Sequence, residues 1–295
     1  MSRSRRDAAG AANMLENLDE KAVYAAFAQP NNDGSFPEAF HTYLRLLGAR
    51  RPSVILAFPP KAAGTFLRTA AIVAVNGQLV RAVHAQGGRD AQPYLPVFLS
   101  YFCGELGEAP LVTHMHLQAL PANRHFFDAL DLRPIIMLRS IADMLASYRD
   151  MLDADPVARA EGLNCTIPAD YADWADHAKN DFVIDVLGPW YAGYYATWLA
   201  YTQDMPGRVC ALSYQDFLGA PAQTLSALLD HADLPVSRAV CDTAIAETWS
   251  ERREHRFHRG ESGRGRKYFS AQQIARLRQM LSYYPILRER EDELL

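Results

Sequence analysis

Short apolar runs, each followed by a polar loop and then by a helix-like period, recur along this chain, and that alternation limits its fold more than any other feature. Ser53 to Phe58 (SVILAF) is continuously apolar and bounded by Pro and polar residues, as a strand buried on both faces should be. A helix is expected from about Thr65. Leu111 to Thr113 precedes a loop and a helix around Ala122 to Leu130, and Pro134 to Leu138 (PIIML) precedes a helix from Ile141 to about Leu152. Arg208 to Leu212 precedes helices after Ser213. Strand, loop and helix in repetition imply an α/β fold, a central parallel sheet flanked by helices. Ligands of such sheets sit outside the carboxyl ends of the strands, so the residues just after each apolar run are the first candidates for function.

The rest of the chain adds context. Met14 to Gln29 has helical periodicity and ends at the turn Pro30 to Gly34, and the basic, small-residue stretch 1–13 is expected to be a disordered tail rather than a transit peptide. No linker or repeat divides residues 14–295, which are expected to form a single domain. Tyr94 to Leu106 and Phe182 to Thr202 carry aromatics at helical intervals; Trp190, Tyr191, Tyr194, Tyr195 and Trp198 fit core packing first and an acceptor pocket second. A hydrophobic content of 49% supports a sizeable core, and a net charge of -4 gives no general attraction to nucleic acid or anionic membrane, so any anion site must be local. Cys103, Cys165, Cys210 and Cys241 stand apart, without framework or metal-site spacing, which fits a reducing compartment. No apolar run reaches the length of a membrane span, and a cytoplasmic location without stable membrane insertion is expected.

Four segments carry candidate chemistry. Phe58-Pro59-Pro60-Lys61-Ala62-Ala63-Gly64-Thr65-Phe66 lies where the first strand turns into a helix. Helix N–H groups, close backbone at Ala62, Ala63 and Gly64, the Lys61 charge and the Thr65 hydroxyl together suit a phosphate or sulfate. Lys61 precedes Gly64, which disfavours a Walker A loop. Arg139 ends the PIIML strand and Ser147 lies in the following helix, where Ser140 and Asp143 make a capping-box-like start. His114, after the Leu111 strand, suits general-base work; His116, two residues on, leaves open a swapped base role or a metal pair, the latter lacking a third ligand. His258 to Ser270 (HRGESGRGRKYFS) is a Gly-rich basic stretch fit to close on a phosphate.

The order and spacing of these segments resemble the PAPS-dependent sulfotransferases, PAPS being 3'-phosphoadenosine 5'-phosphosulfate. PKAAGTF resembles the family's PKSGTTW or PKTAGTS loop, Arg139 and Ser147 keep the family's eight-residue spacing, Thr113-His114 matches its K-T-H-L-P segment, and the basic stretch resembles R-K-G-x-x-G-D-W-K-N-x-F-T. The resemblance spans Ser53 to Ser270 and implies a P-loop-like sulfotransferase fold, PAPS as donor, PAP as product and no metal. It implies that Lys61, Ala62, Ala63, Gly64 and Thr65 hold the 5' end and that Arg139, Ser147, His258, Arg259 and Gly260 serve the 3'-phosphate. It further implies that Phe66 or Trp249 stacks on adenine, that Tyr214 supports the site, and that His114 and Lys61 are catalytic.

Departures from the family pattern are Ala62 where a hydroxyl is usual, Val112 in place of Lys, His116 in place of Pro and His258 in place of Arg. The implied acceptor is a small molecule, glycan or lipid bearing a hydroxyl, or an amine, recognised through variable segments such as Val80 to Phe102 and Asp153 to Asp181. A P-loop kinase using ATP, or a non-catalytic nucleotide-binding protein on the same fold, are the alternatives.

Overall fold

The computed structural model describes residues 51–81, 93–103, 107–161, 165–251 and 262–295. The expected tail, the helix at Met14 to Gln29, and His258, Arg259 and Gly260 lie outside them. Five strands form one parallel sheet: β1 (Ser53–Leu56), β2 (Gln78–Leu79), β3 (Leu111–His114), β4 (Pro134–Leu138) and β5 (Cys210–Ser213), in the order β2-β3-β1-β4-β5. Every residue of β1, β3 and β4 is buried, which is why these strands are mostly apolar rather than alternating, with Ser53, Thr113 and His114 the polar exceptions.

Two expectations shift. β2 has no apolar run to announce it; its two residues are flanked by backbone bonds from Gln78 N–H to the Pro110 carbonyl (2.9 Å) and Val80 N–H to the Val112 carbonyl (3.1 Å). Arg208 stays out of β5: its backbone N–H turns back to the Met205 carbonyl at 3.1 Å, and its guanidinium pairs with Asp128 and Asp131.

The helices of interest are α1 (Gly64–Val75), α2 (Leu95–Phe102), α3 (Pro121–Ala129), α4 (Ile141–Ala154), α5 (Gly188–Asp204), α6 (Tyr214–Gly219), α7 (Pro221–His231), α8 (Arg238–Ser250), α9 (Gly265–Tyr268) and α10 (Ala271–Ser282). A π-helical turn, Val183–Leu187, leads into α5. α4 starts as its sequence implies, the Ser140 hydroxyl accepting from the Asp143 N–H at 3.2 Å.

Strand order places the functional end. From β1 the chain moves to one side of the sheet, to β2 and β3, and then crosses to β4 on the other side, so the switch point lies at the carboxyl end of β1. In the β1–β3 register Leu56 pairs with His114, which brings the end of β3 level with the start of the Lys61 loop.

Candidate active site

The loop from β1 to α1 is held in an unusual shape. Lys61 and Ala63 both have positive φ, 66° and 61°, a region that costs a non-glycine residue about 1–2 kcal/mol. Three tyrosines of α5 hold the surroundings: Tyr191 donates its hydroxyl to the Pro60 carbonyl at 3.1 Å, Tyr194 to the Ala57 carbonyl, and Tyr195 to the Arg139 carbonyl at 2.9 Å. Burial pushes the phenols of Tyr194 and Tyr195 well up, so both keep their protons as donors. The aromatic stripe is therefore core, as its spacing implies, and its hydroxyls also fix the carbonyls after β1 and β4. The signal in the sequence was the residue type: a buried Tyr needs a partner for its oxygen where Phe does not.

This loop delivers an uncapped helix end. Ala63 stands at the N-cap position of α1 without a side-chain hydrogen bond to the first turn, and that turn contains no acid. Its N–H groups and the positive end of the helix dipole favour an anion. Arg139 reaches the same place from β4, donating through Nη1 to the Lys61 carbonyl while its guanidinium carbon lies 4.0 Å from the centre of the Tyr214 ring. Tyr214 is thus a support that flattens the Arg139 fork against its ring. The convergence of Lys61 and Arg139 follows from the sheet, since their strands are neighbours.

His114 closes the third side. A Cβ placed on Gly64 would lie 2.2 Å from His114 Nε2 and 2.3 Å from Cε1, so the imidazole rests directly on the glycine at the start of α1. His116 is buried, its ring centroid 4.6 Å from that of His114 and nearly perpendicular to it. Its Nδ1 lies 2.7 Å from the Phe58 carbonyl, an acceptor only, so Nδ1 carries the proton. His116 thereby ties β3 to the β1 loop. Replacing His116 by Asn, whose amide nitrogen stands near the position of Nδ1, should retain most of this bond. His116→Phe should cost about 1–3 kcal/mol by stranding the Phe58 carbonyl; denaturant unfolding of both variants checks the difference.

Among the described residues, no group of three His, Cys, Asp or Glu side chains is arranged to hold a metal ion. No described helix is long and apolar enough to cross a membrane.

The remaining candidates are distributed around this centre. Thr65 is in the first turn of α1, partly exposed, and Ser147 is partly exposed in the second turn of α4. Phe66 is fully buried, edge-on to Phe217 at 5.6 Å and to Trp249 at 5.7 Å. Phe66 thus has no accessible face, whereas Trp249 is 41% exposed. Val112, where the resemblance would have a Lys, is fully buried inside β3.

Asp143 has a second role that its capping position concealed. Its carboxylate accepts from the N–H groups of Gly263 (2.8 Å) and Gly265 (2.6 Å), and a Cβ on Gly265 would fall 2.3 Å from the Ala142 carbonyl carbon. The end of the basic stretch is thus seated on the amino terminus of α4, beside Arg139. Arg264 pairs with Asp150, and Arg149, buried in α4, joins Asp153, Asp176 and Tyr268. These contacts account for Arg264 and for Gly265, where a side chain would collide with the backbone of Ala142.

Comparison with known proteins gives a structural answer only. No protein-family model matches the chain, and no curated protein matches it. Among solved structures, mouse sulfotransferase SULT7A1 complexed with PAP superposes with a TM-score of 0.56 at 15% identity, covering 86% of this chain and 94% of that one. Retinol dehydratase with androsterone and inactive cofactor PAP gives a TM-score of 0.47 at 12% identity, covering 79% of this chain and 81% of that one. The fold assignment rests on the mouse protein.

Proposed function

We propose that this chain, which has the α/β sulfotransferase fold, moves a sulfuryl group from PAPS to a hydroxyl or amine of an acceptor. One observation carries the reading. Lys61, Arg139 and His114, from three different strand ends, meet at the uncapped start of α1, with His114 packed on Gly64. The helix end with Lys61 suits the doubly anionic 5' end of a nucleotide donor, Arg139 beside them suits a second phosphate, and an imidazole at the same place can accept a proton.

The residues present fit the donor. The first-turn N–H groups of α1, Lys61 and Thr65 take the 5'-phosphosulfate end, and the small side chains of Ala62 and Ala63 allow close approach. Arg139 and Ser147, with His258, Arg259 and Gly260 by sequence, take the 3'-phosphate. Trp249 offers the exposed face for adenine, with Phe66 behind it. In the transfer, His114 accepts the acceptor's proton as the new bond to sulfur forms. The bond from sulfur to the bridging phosphate oxygen breaks, its electron pair stays on that oxygen, and Lys61 with the helix end stabilises the charge. This account needs no metal. The acceptor is a small molecule, or a glycan or lipid presenting a hydroxyl.

The 3'-phosphate assignment has a direct check. Arg139→Gln should weaken PAP binding about 10- to 100-fold, the value of one or two charge-assisted bonds. Adenosine 5'-phosphosulfate, which lacks the 3'-phosphate, should lose less than threefold. Calorimetric titration of both nucleotides distinguishes this from a general disturbance, in which both would weaken together.

A further inference from the structure

Arg68 and Arg81 are the charges that the donor site leaves unexplained. Several arginines elsewhere in the described residues meet carboxylates, as in Arg124–Asp204, Arg133–Asp233, Arg208–Asp131 and Arg276–Asp181, and Arg159, Arg266 and Arg288 meet backbone carbonyls. Neither Arg68 nor Arg81 takes part in an ion pair among the described residues. The Nε of Arg68 is buried and has no hydrogen-bond partner among the described residues, as is also true of Nε in Arg139, Arg149, Arg208 and Arg276. Arg149, Arg208 and Arg276, however, are neutralised by carboxylates through their guanidinium groups, and Arg139 donates to the Lys61 carbonyl, whereas Arg68 has no such partner there. Burial first, and then the charge of Arg81, press the Arg68 guanidinium below its ordinary range.

Their positions are informative. Arg68 lies one helical turn after Gly64 and so shares the face of α1 that Gly64 turns toward His114. Side chains on a helix lean toward its amino terminus, which for Arg68 is the direction of the Lys61 loop. Arg81 follows β2, whose partner is β3, the strand that ends in His114. Both arginines therefore stand at the carboxyl end of the sheet on the β2–β3 side. Arg139 approaches from the opposite, β4 side.

We propose that Arg68 and Arg81 form a recognition site for an anionic group, a carboxylate, phosphate or sulfate ester, on the acceptor. This rests on the sulfuryl-transfer reading for its location next to His114. The anion lies between two guanidinium groups, satisfies the Arg68 Nε and screens the repulsion between the cations, while the acceptor's nucleophile extends toward His114. Acceptors of this class are acidic hydroxyl compounds, and their neutral analogues are discriminated against.

The test uses a pair of phenols matched in shape, 4-hydroxyphenylacetate and 4-hydroxyphenylacetamide. Their binding to the full-length protein is measured by calorimetry with and without PAP. The carboxylate should bind at least about tenfold tighter than the amide, the effect of one charge-assisted bond. In the Arg68→Met, Arg81→Gln double variant the difference should fall below about threefold, with the PAP Kd changed less than twofold. Met keeps the apolar stem of Arg68, and the PAP measurement verifies that the variant is folded. Equal affinity for the two phenols in the wild type, binding of neither, or a preference that survives the double variant would overturn the proposal. Failure of PAP to bind would instead count against the donor reading, since the carboxylate preference is also read in its absence.

Discussion

Substituting His114 by Ala should lower kcat about 10²- to 10⁴-fold, the usual contribution of a positioned general base, and leave the PAP Kd within about twofold. The separation between the two readouts follows from the geometry. His114 contacts Gly64 at the start of α1, whereas the cations proposed to hold the nucleotide come from the loop after β1 and from the end of β4. Both imidazoles are buried, but His116 is the weaker candidate for the base because its Nδ1 is committed to the Phe58 carbonyl. His116→Asn should accordingly keep most of the transfer rate. A His114→Ala enzyme with unchanged kcat would remove the imidazole from the mechanism and leave proton removal to another group.

Gly64→Ala should be nearly as damaging, through steric exclusion rather than lost chemistry. The added carbon would stand 2.2 Å from His114 Nε2, so the ring must move by more than an ångström or the start of α1 must shift. Displacement of that size at a reacting centre costs on the order of 10²-fold in rate. Alanine is otherwise the better helix former by about 1 kcal/mol, but overpacking costs about 1–3 kcal/mol and the net effect should be destabilising. The diagnostic is a double-mutant cycle. In the His114→Ala background the space is vacant, so Gly64→Ala should become neutral or stabilising, a coupling visible in denaturant unfolding. Additive losses would show that the ring does not rest on Gly64.

The fold was readable because the strongest signals were the simplest ones. SVIL and PIIML are continuous apolar runs, and each became a fully buried parallel strand followed by the expected helix. β2 was not readable, since two residues including Gln78 carry no periodicity and are defined by their neighbours' carbonyls.

In the site, residues adjacent to strand ends were legible. Lys61, Gly64, His114 and Arg139 are brought together because β3, β1 and β4 are adjacent. What escaped were contacts between distant segments: the Tyr191, Tyr194 and Tyr195 hydroxyls on loop carbonyls, Arg139 on the Tyr214 ring, and Asp143 on the amides of Gly263 and Gly265. Each involves a residue whose local role, core aromatic or helix cap, already accounts for its presence. Phe66 illustrates the converse. Its place in the motif makes it, with Trp249, a candidate stacking ring, but it is buried against Phe217 and Trp249, and of the two only Trp249 has an exposed face.

The most direct measurement incubates the protein with sulfur-labelled PAPS and a mixed panel of phenolic, amine and acidic hydroxyl acceptors in the presence of a metal chelator. Parallel titrations compare PAP with ATP. The expected result is chelator-resistant appearance of label in an acceptor, abolished in His114→Ala, together with PAP binding at least about tenfold tighter than ATP, as a 3'-phosphate on Arg139 requires. Tight binding of ATP with PAP ignored, or label that stays on the nucleotide throughout while PAP binds, would contradict the account.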